Sequence, residues 1–145
     1  MTPRAMGLDV GTRRIGVAIS DPSYTIASPY KTLHRTHLAA DIDTLLAWSK
    51  LEHVDRLIVG WPIESSGRVG RMAKKVKALM DTLSEHITLP VFYWDERMTS
   101  VSAERALLSA GTRRQQRKQV IDKVAAALIL QGWLDAQKHS QNLPP

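Results

Sequence analysis

Met6, Leu8 and Val10 alternate with Ala5, Gly7 and Asp9, and beyond a turn at Gly11-Thr12-Arg13-Arg14 the residues Ile15, Val17 and Ile19 alternate with Gly16, Ala18 and Ser20. Period-two alternation on both sides of a glycine-containing turn predicts a β-hairpin. Successive side chains on a strand point to opposite faces, so one face of this hairpin is large and apolar while the other is small and carries Asp9. The small face leaves room for a close-packed helix or a substrate. A third extended stretch is expected within Thr25 to His34, where Pro29 has no N–H to donate and argues for an edge position or a broken strand.

Leu38, Ile42, Leu45, Leu46 and Trp48 then follow helical spacing, with Asp41 and Asp43 near the start, which predicts a first helix from Leu38 to Leu51. Arg56-Leu57-Ile58-Val59-Gly60 reads as a short buried strand stopped by Gly60-Trp61-Pro62, and a loop follows from Ile63 to Gly70. Val69, Met72, Val76, Leu79, Met80 and Leu83 mark a second helix, and Pro90 to Trp94 another buried strand ending at Asp95-Glu96-Arg97. The remainder is expected to be helical, from Ser100 to Ser109 and from Gln115 to Gln137, with a hinge at Gly111-Thr112. A three-strand meander followed by helix, strand, helix, strand and terminal helices is an α/β pattern, a mixed sheet with helices on both faces. No internal repeat interrupts it. A single domain is expected over residues 1–138, with a flexible polar tail over 139–145 that ends in two prolines.

Composition narrows the partners more than the fold. A chain of 145 residues supplies one core but not two lobes, and 43% apolar with 23% charged residues is the balance of a folded protein. Twenty Lys and Arg against fourteen Asp and Glu give a formal charge of +6, which favours a polyanionic partner such as nucleic acid. The absence of cysteine excludes disulfides, thiolate zinc sites and thiol nucleophiles, and suits a reducing compartment. The longest apolar run, Val124 to Leu130, is far shorter than a membrane span, and the N-terminus meets Asp9 before any signal-peptide core develops. A cytoplasmic protein without membrane contact is expected.

Three acidic positions stand at the ends of different elements: Asp9 on the first strand, Asp95 or Glu96 after the last strand, and Asp122 in the terminal helical region. Hard divalent cations need such oxygen ligands, and a pair of them can activate an attacking water while stabilising the leaving oxygen of a phosphodiester. Two-metal hydrolysis is therefore the chemical hypothesis. Each carboxylate also has an ordinary reading: Asp9 as a strand end, Asp122 as a helix cap, Glu96 as a surface partner of Arg97 or Arg105. Strand parity does not separate Asp95 from Glu96, because Phe92 and Trp94 on one side and Val91 and Tyr93 on the other are equally apolar. Asp122, Ala125 or Ala126, Ile129 and Trp133 lie along one helical stripe, and Ala125-Ala126-Ala127 lets that helix approach a sheet closely. Docked on the small face of the hairpin, it would bring Asp122 towards Asp9, where the two charges repel unless a cation intervenes.

Arg13 and Arg14, then Arg68, Arg71, Lys74, Lys75 and Lys77, then Arg113, Arg114, Arg117, Lys118 and Lys123 are available for phosphates. Among the four tryptophans, Trp61 beside Pro62 is the candidate to stack on a base. Other chemistries lack their parts. Gly11 and Gly16 have Walker-like spacing, but Val17 and Ala18 occupy the Lys and Ser/Thr positions, and neither G-x-S-x-G nor H-E-x-x-H occurs.

Four stretches carry a family resemblance: Gly7 to Asp21, Ile58-Val59-Gly60-Trp61-Pro62, Trp94-Asp95-Glu96-Arg97-Met98-Thr99-Ser100, and Val120 to Leu130. In order and spacing, over nearly the whole chain, they resemble the YqgF family of pre-16S rRNA nucleases, also described as Holliday-junction resolvase-like. The resemblance implies an RNase H-like fold, a five-stranded mixed sheet whose first three strands are antiparallel, flanked by helices. It implies that Asp9, Glu96 and Asp122 are the metal-binding, catalytic carboxylates for Mg²⁺ or Mn²⁺. Arg97 and Lys123 would lie beside them, and with Arg13 and Arg14 would hold nucleic acid. The chain departs from the family after Pro62, where Ile63-Glu64-Ser65-Ser66-Gly67 replaces an Asn followed by an Asp-Gly turn.

The expected function is thus metal-dependent endonucleolytic hydrolysis of structured nucleic acid, in 5′ processing of precursor 16S rRNA or, as an alternative, on branched DNA, by a monomer or homodimer. A noncatalytic nucleic-acid-binding factor is a second class. An actin-like ATP-binding module is a third, because Asp9-Val10-Gly11-Thr12 resembles the phosphate loop of such kinases, but one lobe is too few for it.

Overall fold

The alternating segments form the hairpin. The computed structural model describes residues 2–62, 70–96 and 114–141. Its elements are β1 (Arg4–Val10), β2 (Arg14–Ser20), β3 (Ala27–His34), α1 (Leu38–Leu51), β4 (Val54–Trp61), α2 (Arg71–Ser84), β5 (Val91–Asp95) and α3 (Arg114–Gln141). The strands form one sheet in the order β3-β2-β1-β4-β5, antiparallel across β1–β2 and β2–β3 and parallel across β1–β4 and β4–β5. This is the expected five-stranded mixed sheet. The helix expected over Ser100–Ser109 and the hinge at Gly111-Thr112 lie outside the described residues. α3 runs past its expected end at Gln137 to Gln141.

Each face of the sheet has its own core. Met6, Leu8 and Val10 of β1 join Ile15 and Val17 of β2 and Leu57 and Val59 of β4 beneath Ile42 and Leu45 of α1 and Val76, Leu79, Met80 and Leu83 of α2. On the other face the small residues Ala5 and Ala18, with Ile58, meet Ala125, Ala126, Ile129, Leu130, Trp133 and Leu134 of α3. The asymmetry of the hairpin thus decides the layering: bulky side chains keep two helices at ordinary distance, and small ones admit the backbone of a third. A Cβ on Gly7 would lie 2.8 Å from Leu130 Cβ and 2.9 Å from the Ala126 carbonyl oxygen, and one on Gly16 would collide with the Asp122 carbonyl. Gln131 clamps α3 to the sheet edge, donating from Nε2 to the Thr25 carbonyl at 2.9 Å while its Oε1 accepts from the Ala27 N–H at 2.8 Å.

Pro29 falls where expected, on edge strand β3. The register slips there: Val17 faces Lys31 whereas Ala18 faces Pro29, which leaves Tyr30 as the extra residue. Asp21 organises the turn before β3, accepting from the Thr25 and Ile26 N–H groups at 2.7 and 2.8 Å, and these donors with the Ser23 hydroxyl hold its carboxyl far below the usual range. α1 is capped by His37, whose Nδ1 accepts from the Ala40 N–H at 3.3 Å. No helix among the described residues is long and apolar enough to cross a membrane.

Candidate active site

β1, β4 and β5 run parallel, so their C-terminal ends share one edge of the sheet, the place where α/β folds commonly gather functional groups. Asp9 is the penultimate residue of β1 and is only 6% exposed. Glu96 directly follows β5. Gly60, on the strand between them, makes space for it: a Cβ there would stand 2.8 Å from Glu96 Oε1 and 2.5 Å from Ile129 Cδ1. Asp122 arrives from the opposite direction, because α3 crosses β2 at Gly16, and Gly16 is the register partner of Asp9.

The three carboxylates line one cavity of about 250 Å³, together with Gly11, Thr12, Pro62 and Met72. The Thr12 hydroxyl donates to Met72 Sδ at 3.5 Å, joining the β1–β2 turn to the start of α2. Glu96 is among the residues that line the cavity, whereas Asp95 is the last rung of the β4–β5 ladder, opposite Trp61.

The carboxylates share a cavity without forming a closed cage; no three acidic or histidine side chains among the described residues stand close enough to encircle an ion. Like charges around a small cavity repel, and Asp122 is drawn to a cation of the protein's own: Arg14 Nε donates to its Oδ2 at 2.5 Å, with the two side chains 24% and 17% exposed. The residues nonetheless fit Mg²⁺, which takes one or two carboxylates and keeps several of its waters rather than requiring a full protein cage. Arg14→Ala is expected to lower stability in EDTA by about 1–2 kcal/mol, because it leaves Asp122 uncompensated beside Asp9. Added Mg²⁺ should then raise the melting temperature more than in the wild type. Calorimetry with and without EDTA checks both; melting identical to wild type in both conditions would reduce the pair to a surface contact.

Of the basic residues expected near a phosphate, Arg14 is held by Asp122, Arg13 is exposed on the turn, and Lys123 is half-buried next to Asp122. Arg97 and the divergent loop from Ile63 lie outside the described residues, as do Arg68 and Arg113. Lys77 pairs with Asp81 at 2.8 Å. Trp61 is half-buried, its ring packed edge-on against Tyr93 with centroids 5.2 Å apart and against the larger core. Gly60 was read only as a strand stop. A glycine in an otherwise apolar strand, one strand away from an acidic strand end, was the signal that something approaches it.

The RuvX family, described as Holliday junction resolvase, matches residues 3–136. The chain belongs to this family. The resemblance carried by the four motifs is thereby borne out. A protein of Moorella thermoacetica named "Putative pre-16S rRNA nuclease" is 47% identical over 91% of this chain and 94% of its own length. One of the same name from Clostridium novyi is 44% identical over 92% and 98%. Among solved structures, Thermus thermophilus RuvC in complex with a Holliday junction substrate superposes with a TM-score of 0.61 at 10% identity, covering 93% of this chain and 95% of that one. Thermus thermophilus RuvC in a second structure gives 0.58 at 12%, covering 94% and 96%. The likeness establishes the RNase H-like fold read from the motifs.

Proposed function

We propose that the chain is a metal-dependent endonuclease that hydrolyses phosphodiester bonds of structured nucleic acid, with 5′ processing of precursor 16S rRNA in the cytoplasm as its reaction. Membership of a resolvase family and the nuclease names of its relatives support the class of reaction and of substrate. The single observation that carries the site is that Asp9, Glu96 and Asp122, far apart in sequence, line one cavity at the C-terminal edge of the sheet.

Mg²⁺ or Mn²⁺ bound there would supply Lewis acidity at phosphorus and a nucleophilic water at neutral pH. Asp9 and Glu96 offer the carboxylate oxygens from the two parallel strand ends, and Asp122 completes the set from α3. Arg14 keeps Asp122 compensated and oriented. Arg13 on the turn, with Arg97 and Lys123 adjoining the acidic positions in sequence, provides cationic partners for the phosphates around the cut. A second reading, cleavage of branched DNA, is favoured by the description of the family as a whole.

Labelled precursor rRNA and a four-way DNA junction, incubated in parallel with Mg²⁺ and with EDTA, separate these readings. Cleavage of the rRNA precursor in Mg²⁺, lost in EDTA, is expected. Cutting of the junction alone would select the second reading, and binding of either without cutting at any metal concentration would leave a noncatalytic factor.

A further inference from the structure

A second and larger cavity, about 710 Å³, lies on the other side of the β1–β2 turn, bounded by that turn, the β3–α1 junction and α2. It is continuous in its lining with the acidic cavity: Thr12 belongs to both, and Arg14 lines the larger one while its guanidinium reaches Asp122 in the smaller. Its lining residues carry four cations, Arg13, Arg14, Arg35 and Lys75, against the lone carboxylate of Asp41.

That carboxylate is spent. Asp41 is 3% exposed; its Oδ2 accepts from Arg35 Nε at 3.3 Å and its Oδ1 from the Thr36 N–H at 3.1 Å. Arg35 is fixed in turn, donating from Nη1 to the Gly11 carbonyl at 3.0 Å and from its backbone N–H to the Arg13 carbonyl at 2.9 Å. A guanidinium has five N–H donors, so these contacts leave it donors to spare. Arg13 and Lys75 are exposed and make no ion pair among the described residues. The His37 ring adds another donor, because its Nδ1 accepts at the helix cap and the proton of the neutral ring is then on Nε2. The lining is thus rich in donors, both oxygens of its buried carboxylate are already engaged, and it adjoins the cavity assigned to cleavage.

We infer that this cleft seats the backbone phosphates of the nucleic-acid strand flanking the phosphate that is cut. Arg35 is the built-in part, locked between the turn and α1, while Arg13 on the turn and Lys75 on α2, both exposed in the lining, are the adjustable cations. The assignment rests on the nuclease reading above, but its test does not use cleavage.

Binding of a labelled structured RNA is measured by fluorescence anisotropy in EDTA, over a range of salt, for wild type, for Arg13→Ala/Lys75→Ala, and for Lys50→Ala/Lys138→Ala, which removes the same charge elsewhere on the surface. The cleft variant is expected to bind about tenfold more weakly near 0.1 M salt, with a log–log salt slope shallower by roughly 1.4–1.8, the loss of two phosphate contacts. The control should change by less than about twofold, since distant exposed charges are screened. Equal weakening in both variants, no change in the cleft variant, or no binding by the wild type overturns the inference. So does a mononucleotide that binds by calorimetry with the same Arg13 and Lys75 dependence while strand binding is unaffected. If the wild type binds with this Arg13 and Lys75 dependence but cuts in no metal, the nuclease reading fails and with it the placement beside a cut phosphate, while strand binding that does not depend on Arg13 and Lys75 overturns the cleft assignment and leaves the nuclease reading untouched.

Discussion

Asp9→Asn is expected to reduce Mg²⁺-dependent cleavage by roughly a thousandfold or more while leaving the protein folded. Asn keeps the size of the side chain and loses its charge, so the cavity keeps its shape and forfeits the carboxylate on the central strand. Asp9 is the most buried of the three, and its position opposite Gly16 places it between the approach of Asp122 and the strand edge that carries Glu96. In EDTA the variant should still unfold cooperatively, because the isosteric amide fills the same space. The rise in melting temperature that Mg²⁺ gives the wild type should be lost, since stabilisation by a ligand follows its affinity for the folded state. RNA binding in EDTA should persist. Full cleavage by a rigorously purified variant would remove Asp9, and with it the carboxylate assignment, from the chemistry.

How much of this was legible beforehand follows from which residues have few alternatives. The hairpin and its small face were readable because strict alternation leaves a strand one orientation, and Gly7 and Gly16 on that face announced the close approach of a helix. The edge position of Pro29 followed from its missing donor. Strand parity could not separate Asp95 from Glu96, because β5 is apolar on both sides, and only the motif resemblance pointed to Glu96. The space over Gly60 that admits the Glu96 side chain is a property of a neighbouring strand. Arg14 illustrates a different limit. Its charge was visible, but a cation two residues before Gly16 reaches Asp122 only after α3 has been laid across β2, and sequence separation hides that contact. Arg35 went unread for the same reason, and Asp41 was read only as a first-turn acid of α1: the link between them, and from Arg35 to the Gly11 carbonyl, has no local pattern to mark it. Trp61 was read from its neighbour Pro62, whereas its packing is set by Tyr93 on the adjacent strand.

The crossing of α3 over β2 therefore holds both the layering and the site, and Gly16→Ala is expected to break it. An added Cβ would meet the Asp122 carbonyl carbon and oxygen well inside contact distance and the Lys123 nitrogen at 2.9 Å. These are backbone atoms of a helix, so no rotamer change relieves the clash; the helix itself must lift from the sheet. Lifting it opens the interface that buries Ala125, Ala126, Ile129 and Leu130, and the cost should reach about 3 kcal/mol, at the upper end for overpacking of a core. Gly7→Ala is the informative comparison: its new methyl would stand 2.8 Å from Leu130 Cβ and 2.9 Å from the Ala126 carbonyl oxygen, so α3 must move there too, but by less than the closer contacts at Gly16 demand. Urea unfolding should rank the stabilities wild type above Gly7→Ala above Gly16→Ala. Because the displaced segment of α3 carries Asp122, Gly16→Ala should also lose cleavage at low temperature, where the variant is still folded. A Gly16→Ala protein as stable and as active as the wild type would mean that α3 does not cross β2 at Gly16, and Asp122 would then have no route to Asp9.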